Sequence, residues 1–293
     1  MKYNSLGDRM KGYENISRFY LTRRSPVIIR VDGNAFHTFT RGLKRPFDDI
    51  LMSVMQETAK YLCKNISGCK LAYVQSDEIS LLITDYDTID TQAWFDNNLQ
   101  KIVSVSASLA TLAFNNFWSA AVDCEIESAN TAPFTSDENS YIMTISDKRF
   151  KATFDSRAFI IPKDEVCNYF IWRQQDATRN SIQSLAQANF PHKELNGLNS
   201  SKLQDKLMLE KSINWNDLSV PCKRGVCVYY ERKSFPTDNV EIKMEQSGWM
   251  IDENIPIFTQ NREYIERFVR IDELKQEKSL NKSHLLFNTG DIF

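Results

Sequence analysis

The stretch VIIRVDGNAFHTFTRG, residues 27–42, contains the pattern that decides the fold. Its first five residues are apolar and mostly β-branched apart from Arg30, and such a run is typical of a central β-strand. The run ends on Asp32 and Gly33. An ionised carboxylate at the end of a buried strand is costly without a partner, so the pattern indicates that Asp32 faces a ligand or a counter-charge.

A second acidic motif lies in LAYVQSDEISLLIT, residues 71–84. Two apolar runs surround the polar residues Ser76, Asp77 and Glu78, which predicts a β-hairpin with these three residues at its turn. Between the two motifs, residues 47–66 carry apolar side chains at helical spacing. They predict an amphipathic helix with Asp48 or Asp49 as its N-cap.

The remaining elements complete a recognisable order. We expect a helix from Lys101 to Trp118, a strand near 154–161, a helix over 165–189 and a strand over 225–233. The order β-α-β-β-α-β predicts an α+β protein with a split-βαβ, or ferredoxin-like, antiparallel sheet and packed helices. The composition changes after residue 237, so we predict a catalytic domain over 1–237 and a C-terminal helical extension over 238–293, with an amphipathic helix at 261–276.

Composition limits the function classes. The net charge is −2 in 293 residues, so any nucleic-acid site must be a local patch. The most apolar stretch, 102–122, is interrupted by serine and asparagine, so no membrane association is expected. The first 26 residues are polar and the six cysteines are scattered, which favours reduced thiols and a cytoplasmic location.

The predicted topology makes Asp32 and Asp77 neighbours. In a split-βαβ sheet the first strand lies beside the hairpin, so the two carboxylates would repel each other unless a cation lies between them. Magnesium bound by carboxylate oxygens, water and phosphates satisfies this requirement. Gly33 permits close backbone approach, and the chain has no Walker-type or dinucleotide glycine loop.

Each motif also has a simpler interpretation. Asp-Gly after a strand is most often a turn, and Ser-Asp-Glu is most often a solvated hairpin tip. His37 could be an ordinary histidine between Phe36 and Phe39. A third segment, NYFIWRQQDATRNSI at residues 168–182, favours a functional site, because neither a surface helix nor a core helix needs Trp-Arg-Gln.

The series RVDGNAFHTF, YVQSDEISLL, FDSRAFIIP and NYFIWRQQDATRNSI resembles the tRNA(His) guanylyltransferase family over about residues 5–235. More particularly, it is similar to the bacterial-type guanylyltransferase-like proteins that act as 3′-to-5′ RNA polymerases. The resemblance implies a palm-like catalytic core, two Mg²⁺ ions, ATP and GTP or other NTPs as substrates, tRNA as the partner, and a homotetramer.

The resemblance also implies roles for individual residues. Asp32, Asp77 and Glu78 would be the catalytic acids, with Asp32, Asp77 and the Gly33 carbonyl as metal ligands. RNA would contact Arg157 and Arg179. The nucleotide would be bound by Asp32, Gly33, Asn34, Ala35, Phe36, His37, Lys44, Arg45, Ser76, Asp77, Lys101 and Asn180.

The implied reaction is template-dependent addition of nucleotides to the 5′ end of tRNA after ATP-dependent activation of the 5′-monophosphate. One departure favours repair of truncated tRNAs: the His-Ile-Asn-Asn run that eukaryotic members of the family use for tRNA(His) recognition is replaced here by Thr178 to Ser181. Two alternatives stay open. A palm-type nucleotide cyclase or small-molecule nucleotidyltransferase would not need RNA, and a non-catalytic tRNA-binding protein would not need the carboxylates.

Overall fold

The computed structural model describes residues 5–129, 135–235 and 244–270. Six strands form one antiparallel sheet in the order β4-β1-β3-β2-β5-β6. The strands are β1 (Val27–Gly33), β2 (Cys69–Gln75), β3 (Glu78–Ile83), β4 (Phe154–Ile160), β5 (Val226–Phe235) and β6 (Met244–Asp252). Strand β1 pairs with β3 and β4, which confirms the predicted α+β class and the split-βαβ order.

Helices pack on both faces of this sheet. Those in the described part of the chain are α1 (Leu6–Ile16), α2 (Phe36–Phe39), α3 (Asp49–Asn65), α4 (Leu99–Ala129), α5 (Ser136–Asp147), α6 (Val166–Asn189), α7 (His192–Leu195), α8 (Ser200–Lys211), α9 (Val220–Arg224) and α10 (Glu263–Glu266). Three short 3-10 turns lie at Trp94–Asn97, Lys163–Glu165 and Trp215–Asp217. None of the helices among these residues is long and apolar enough to cross a membrane.

Alternation along the strands assigns each side chain to a face. In β1, Val27, Ile29 and Val31 enter the core formed with α3 and α4. Ile28 belongs to the second core, which α6 covers. Because successive side chains of a strand point to opposite faces, Arg30 and Asp32 lie on the α6 side. The strand therefore presents its charged residues toward α6.

The ends of the helices that pack on the sheet can be explained from the local sequence. Asp48 caps α3, since its Oδ1 accepts a hydrogen bond from the N–H of Leu51 at 3.0 Å. Helix α6 ends one residue before Phe190, ahead of Pro191 as expected. Helix α4 extends well beyond the predicted Trp118, since its small and apolar residues continue to Ala129.

The C-terminal part continues the sheet. Strand β6 pairs with β5 along its length, for example Val228 with Ile251. The predicted domain boundary at 237/238 falls in 236–243, outside the described residues. Of the helix predicted over 261–276, the described residues contain only the short α10, and 271–293 lie outside them.

Gly33 is required by the packing of the turn after β1. A Cβ atom on this glycine would lie 2.3 Å from the ring of Phe36, which is only 3% exposed and packs against Phe114 and Phe154. The ring cannot move away without disturbing the core.

We expect Gly33→Ala to lower the free energy of unfolding by about 1–3 kcal/mol, the usual cost of overpacking. Urea unfolding would measure it. Gly248→Ala is the control, because no atom lies within 4 Å of its Cβ position. Equal stability of Gly33→Ala and the parent protein would contradict this account of the turn.

Candidate active site

Four acidic residues lie together where strands of the sheet end: Asp32, Asp77, Glu78 and Asp155. Asp32 at the end of β1 pairs in register with Glu78 on β3 and with Asp155 on β4. The backbone N–H of Gly33 donates a hydrogen bond to the carbonyl of Asp77 at 3.1 Å. The hairpin tip and the end of β1 are therefore joined, and the predicted neighbours Asp32 and Asp77 do lie together.

The electrostatics of the pair are unfavourable in the absence of a cation. Burial and the nearby charges of Asp77, Glu78 and Asp155 raise the pKa of Asp32, which Arg30 opposes. Burial is also the main cause that raises the pKa of Asp77, with a further contribution from Glu78. Both carboxylates thus lie where ionisation is costly and a cation would relieve the cost.

Glu78 differs from the other three acids because it is neutralised within the protein. Its Oε1 accepts from Nε of Arg173 at 2.8 Å, and its Oε2 accepts from Nη2 at 2.5 Å. Both residues are buried. Burial works against the charge of Arg173, yet the hydrogen bond and attraction to Glu78 raise its pKa above the ordinary value. The Glu78 carboxylate therefore faces α6.

Two arginines lie beside the acids on the α6 side of the sheet. Arg157 is exposed, with its Nη2 3.2 Å from an oxygen of Asp155 and 3.8 Å from one of Asp32. Arg30 pairs with Arg157 across β1 and β4, and its buried Nε has no hydrogen-bond partner among the described residues. Since like charges directly opposite each other are destabilising, this pair favours an anion nearby.

The donor set fits magnesium held jointly with a substrate. Within the described residues, no group of three His, Cys, Asp or Glu side chains is arranged to hold a metal ion. Asp32 and Asp77 supply two carboxylates with raised pKa values as hard oxygen ligands, and magnesium is commonly bound by one or two carboxylates plus substrate phosphates. The residues therefore match an ion that binds together with a phosphorylated ligand.

The turn after β1 exposes residues next to Asp32 to solvent. Asn34 is exposed and its N–H bonds to the carbonyl of Thr153 at 2.9 Å. Ala35 adopts a left-handed conformation with φ of 53°. Phe36 is buried, whereas His37 is exposed and accessible to a ligand. The histidine therefore does not take the core position that the simpler interpretation allowed.

A cavity of about 340 Å³ lies beside the hairpin tip on the β2 side. Its wall brings together Lys44, Arg45, Ser76 and Asn180, all of them predicted nucleotide-binding residues. Other wall residues come from α3, α6 and α9, among them Met52, Gln56, Ser184, Gln187 and Cys222. Ligand pockets are commonly about 300–1,000 Å³, so this space suits one small molecule of nucleotide size.

Two predicted residues lie apart from the carboxylates. Lys101 is in the first turn of α4, with its Nζ 5.7 Å from the ring centre of Phe95. The N–H of Leu21 bonds to the carbonyl of Asn97 at 2.9 Å, so this end of α4 lies beside the segment that enters β1, whereas Asp32 lies where β1 ends. Arg179 is exposed on α6 and forms an ion pair with Asp176.

The assignments from sequence did not include Arg173 or the cavity residues Gln56, Ser184 and Gln187. Trp-Arg-Gln was noted as unusual, but only the structure shows that Arg173 binds Glu78. Ser184 and Gln187 carry no sequence signal, because serine and glutamine on a helix are ordinary surface residues. Their position beside the cavity follows from the packing of α6 against α3 and α9.

Comparison with known proteins identifies several relatives. A sequence model for the family described as tRNAHis guanylyltransferase matches residues 7–162. Solved structures of bacterial tRNA(His) guanylyltransferase-like proteins are similar: one in complex with ATP (TM-score 0.75, 50% identity, 92% of this chain and 100% of that one) and one in complex with GTP (0.71, 46%, 91% and 99%). A probable tRNA(His) guanylyltransferase of Dictyostelium discoideum is 26% identical over 234 residues, which is 75% of this chain and 80% of the relative.

The raised pKa of Asp77 predicts a stability effect with a definite sign. A carboxyl group whose pKa is higher in the folded state than in the unfolded state destabilises the fold once it ionises. The penalty is absent below the ordinary value of 3.8 and complete above the raised pKa. In divalent-free buffer, Asp77→Asn should therefore be more stable than the parent protein at pH 7, and the difference should shrink toward pH 3.5.

Urea unfolding at pH 7, 5 and 3.5 would measure this difference. Asp147→Asn is the control, because the Asp147 side chain is 87% exposed on α5 and should have little effect. A parent protein that is more stable than Asp77→Asn at pH 7 without divalent ions would refute the electrostatic account of the site.

Proposed function

Because this chain belongs to the tRNA(His) guanylyltransferase family, a family of nucleotidyltransferases, we propose that it adds nucleotides in the 3′-to-5′ direction to the 5′ end of tRNA. The observation that carries the proposal is that Asp32 and Asp77 lie together at the hairpin tip, where Ser76 enters the wall of a cavity of nucleotide size. Such an arrangement holds the base and ribose of a nucleotide in the cavity and its phosphates at the carboxylates.

The reaction proceeds in two transfers. The 5′-monophosphate of the RNA attacks the α-phosphate of ATP, which forms an adenylylated 5′ end and releases pyrophosphate. The 3′-hydroxyl of an incoming NTP then attacks the activated 5′-phosphate, and AMP leaves. The bacterial relative in complex with ATP and the one in complex with GTP support both nucleotides as substrates.

The residues of the site divide the work of binding. Asp32, Asp77 and the Gly33 carbonyl would hold two Mg²⁺ ions. When bound, these ions neutralise phosphate charge and lower the pKa of an attacking hydroxyl. Lys44 or Arg45 places a positive charge on the cavity wall, where a triphosphate can be neutralised. Exposed Ser76 offers a hydroxyl at the hairpin tip.

The cavity wall supports selection of the nucleotide by base pairing. Gln56, Asn180, Ser184 and Gln187 are neutral side chains that can bond to different bases. The one buried acid in the wall, Asp48, already accepts bonds from Leu51, Lys44 and Tyr141. Template-directed repair of 5′-truncated tRNAs needs such tolerance, and the absence of the family's histidine between Thr178 and Ser181 agrees with it.

The tRNA would approach the carboxylates from the side opposite the cavity. Strand β4 is at one edge of the sheet, and Arg157 is exposed there beside Asp32. Arg179, exposed on α6 and paired with Asp176, would be a further contact for RNA. The proposal includes a homotetramer, as the family resemblance implies. Helix α1 supports an assembly, because it buries no residue and leaves Leu6, Met10, Tyr13 and Ile16 exposed.

A tRNA that lacks its first nucleotide and carries a labelled 5′-monophosphate provides the test. With ATP, Mg²⁺ and single NTPs, we expect extension only by the nucleotide complementary to the opposing base. Asp32→Ala and Asp77→Ala should abolish extension, whereas Asp87→Asn, at the far end of β3, should retain it. Consumption of NTP without RNA, and no extension, would instead favour a nucleotide cyclase or a small-molecule nucleotidyltransferase.

A second variant tests the cavity. Ser184→Phe should fill the space beside Asn180, so the KM for ATP and for the added NTP should rise, while the affinity for tRNA stays unchanged. Steady-state kinetics and tRNA binding would be measured on the same preparation. Gln175→Phe, at an exposed position of α6 outside the cavity wall, is the matched control. An unchanged KM would place the nucleotide elsewhere.

A further inference from the structure

Arg173 is the most enclosed cation near the carboxylates. Its side chain is 7% exposed, and its guanidinium bonds to both oxygens of Glu78 and to Asp176 at 3.0 Å. The ring of Trp172 lies over the guanidinium at 4.5 Å. Asp176 also binds Arg179, so a chain of alternating charges runs from the surface of α6 to the hairpin.

Both acceptor oxygens of Glu78 are bonded to groups of the protein. Besides the two bonds from Arg173, Oε1 accepts from the hydroxyl of Ser80 at 3.1 Å. The Ser80 hydroxyl in turn bonds to the hydroxyl of Tyr169 at 2.9 Å. The bonds made by Arg173 and Tyr169 join β3 to α6, while the bond from Ser80 lies within β3. The geometry therefore anchors Glu78 to the helix.

The ion pair between Arg173 and Glu78 also restrains the hairpin tip, because Glu78 is next to Asp77 in the chain. Glu78 follows Asp77 directly, and the carbonyl of Asp77 accepts the bond from Gly33. A bidentate Arg–carboxylate pair fixes both distance and orientation, which a lysine cannot reproduce. Movement of Glu78 would therefore shift Asp77 relative to Asp32.

We propose that Arg173 is a positioning residue, which acts through Glu78 to hold Asp77 against Asp32. The proposal rests on the proposed function for its kinetic consequence but not for its structural one. Glu78 then contributes to the reaction through its ion pair with Arg173, and Asp32 and Asp77 are the acids left to bind a cation.

The alternative is that the ion pair only stabilises the fold, and Gln174 provides the matched control for it. Gln174 is on the same helix and is as buried as Arg173, 5% against 6% exposed. Its amide bonds to the carbonyl of Pro256 at 2.9 Å and to the N–H of Phe258 at 2.8 Å. Gln174→Leu thus removes a buried clamp of α6 without touching the hairpin.

The experiment compares Arg173→Lys, Gln174→Leu and the double variant Glu78→Gln/Arg173→Met in the full chain. The double variant removes the charges of both Glu78 and Arg173, so neither is left buried without a partner. Its melting temperature should therefore recover much of what a change to only one of the two residues loses. The kcat for nucleotide addition should fall about 100-fold in Arg173→Lys and in the double variant, as expected for a small displacement of a catalytic group. The KM for NTP should change less than kcat, since the cavity proposed for the base and ribose is intact.

A structural readout is independent of activity. Hydrogen exchange of the Gly33 amide should accelerate in Arg173→Lys and in the double variant, and it should match the parent protein in Gln174→Leu. The proposal would be overturned if the double variant recovered its melting temperature and, with it, both the kcat and the slow exchange of the Gly33 amide. If the parent protein adds no nucleotide to RNA, the proposed function fails, while the exchange result still decides whether Arg173 holds the hairpin.

Discussion

The rest of the site depends on one constraint, which is the mutual repulsion of Asp32, Asp77, Glu78 and Asp155 at the ends of neighbouring strands. Antiparallel pairing of β1 with β3 and β4 makes these acids neighbours. The protein neutralises Glu78 in its interior through Arg173, whereas the exposed Arg157 lies 3.2 Å from Asp155 and 3.8 Å from Asp32. Asp32 and Asp77 remain with raised pKa values. These two carboxylates are therefore the ones that the proposed function assigns to a cation that arrives with its substrate.

Helix α6 connects the hairpin, the cavity wall and the segment that follows β6. One side of it binds the hairpin through Arg173 and contributes Asn180 to the cavity wall. Gln174 ties the same helix to the segment after β6. The Trp-Arg-Gln motif thus has a physical explanation: Trp172 covers the guanidinium, and the next two residues bind partners from distant parts of the chain.

Local patterns predicted the elements that carry strong periodicity or turn chemistry. The apolar run of β1, the hairpin and the cap at Asp48 were all readable, and together they gave the topology that brings Asp32 to Asp77. Helices α1, α5 and α8 and strand β6 were not predicted, because their patterns are weakly apolar. The partner of Glu78 was beyond reach for a different reason: an ion pair between residues 78 and 173 depends on helix placement, which no local pattern encodes.

Strand β1 has a consequence for the folding of the chain. Both of its neighbours, β3 and β4, lie later in the sequence, so during synthesis Val27 to Val31 leaves the ribosome with its pairing groups unsatisfied. Short β-branched segments without charge are prone to intermolecular pairing. Arg30, the fourth of these five residues, interrupts the apolar run with a positive charge. The same residue that faces the acids in the finished protein thus serves beforehand as a gatekeeper against aggregation.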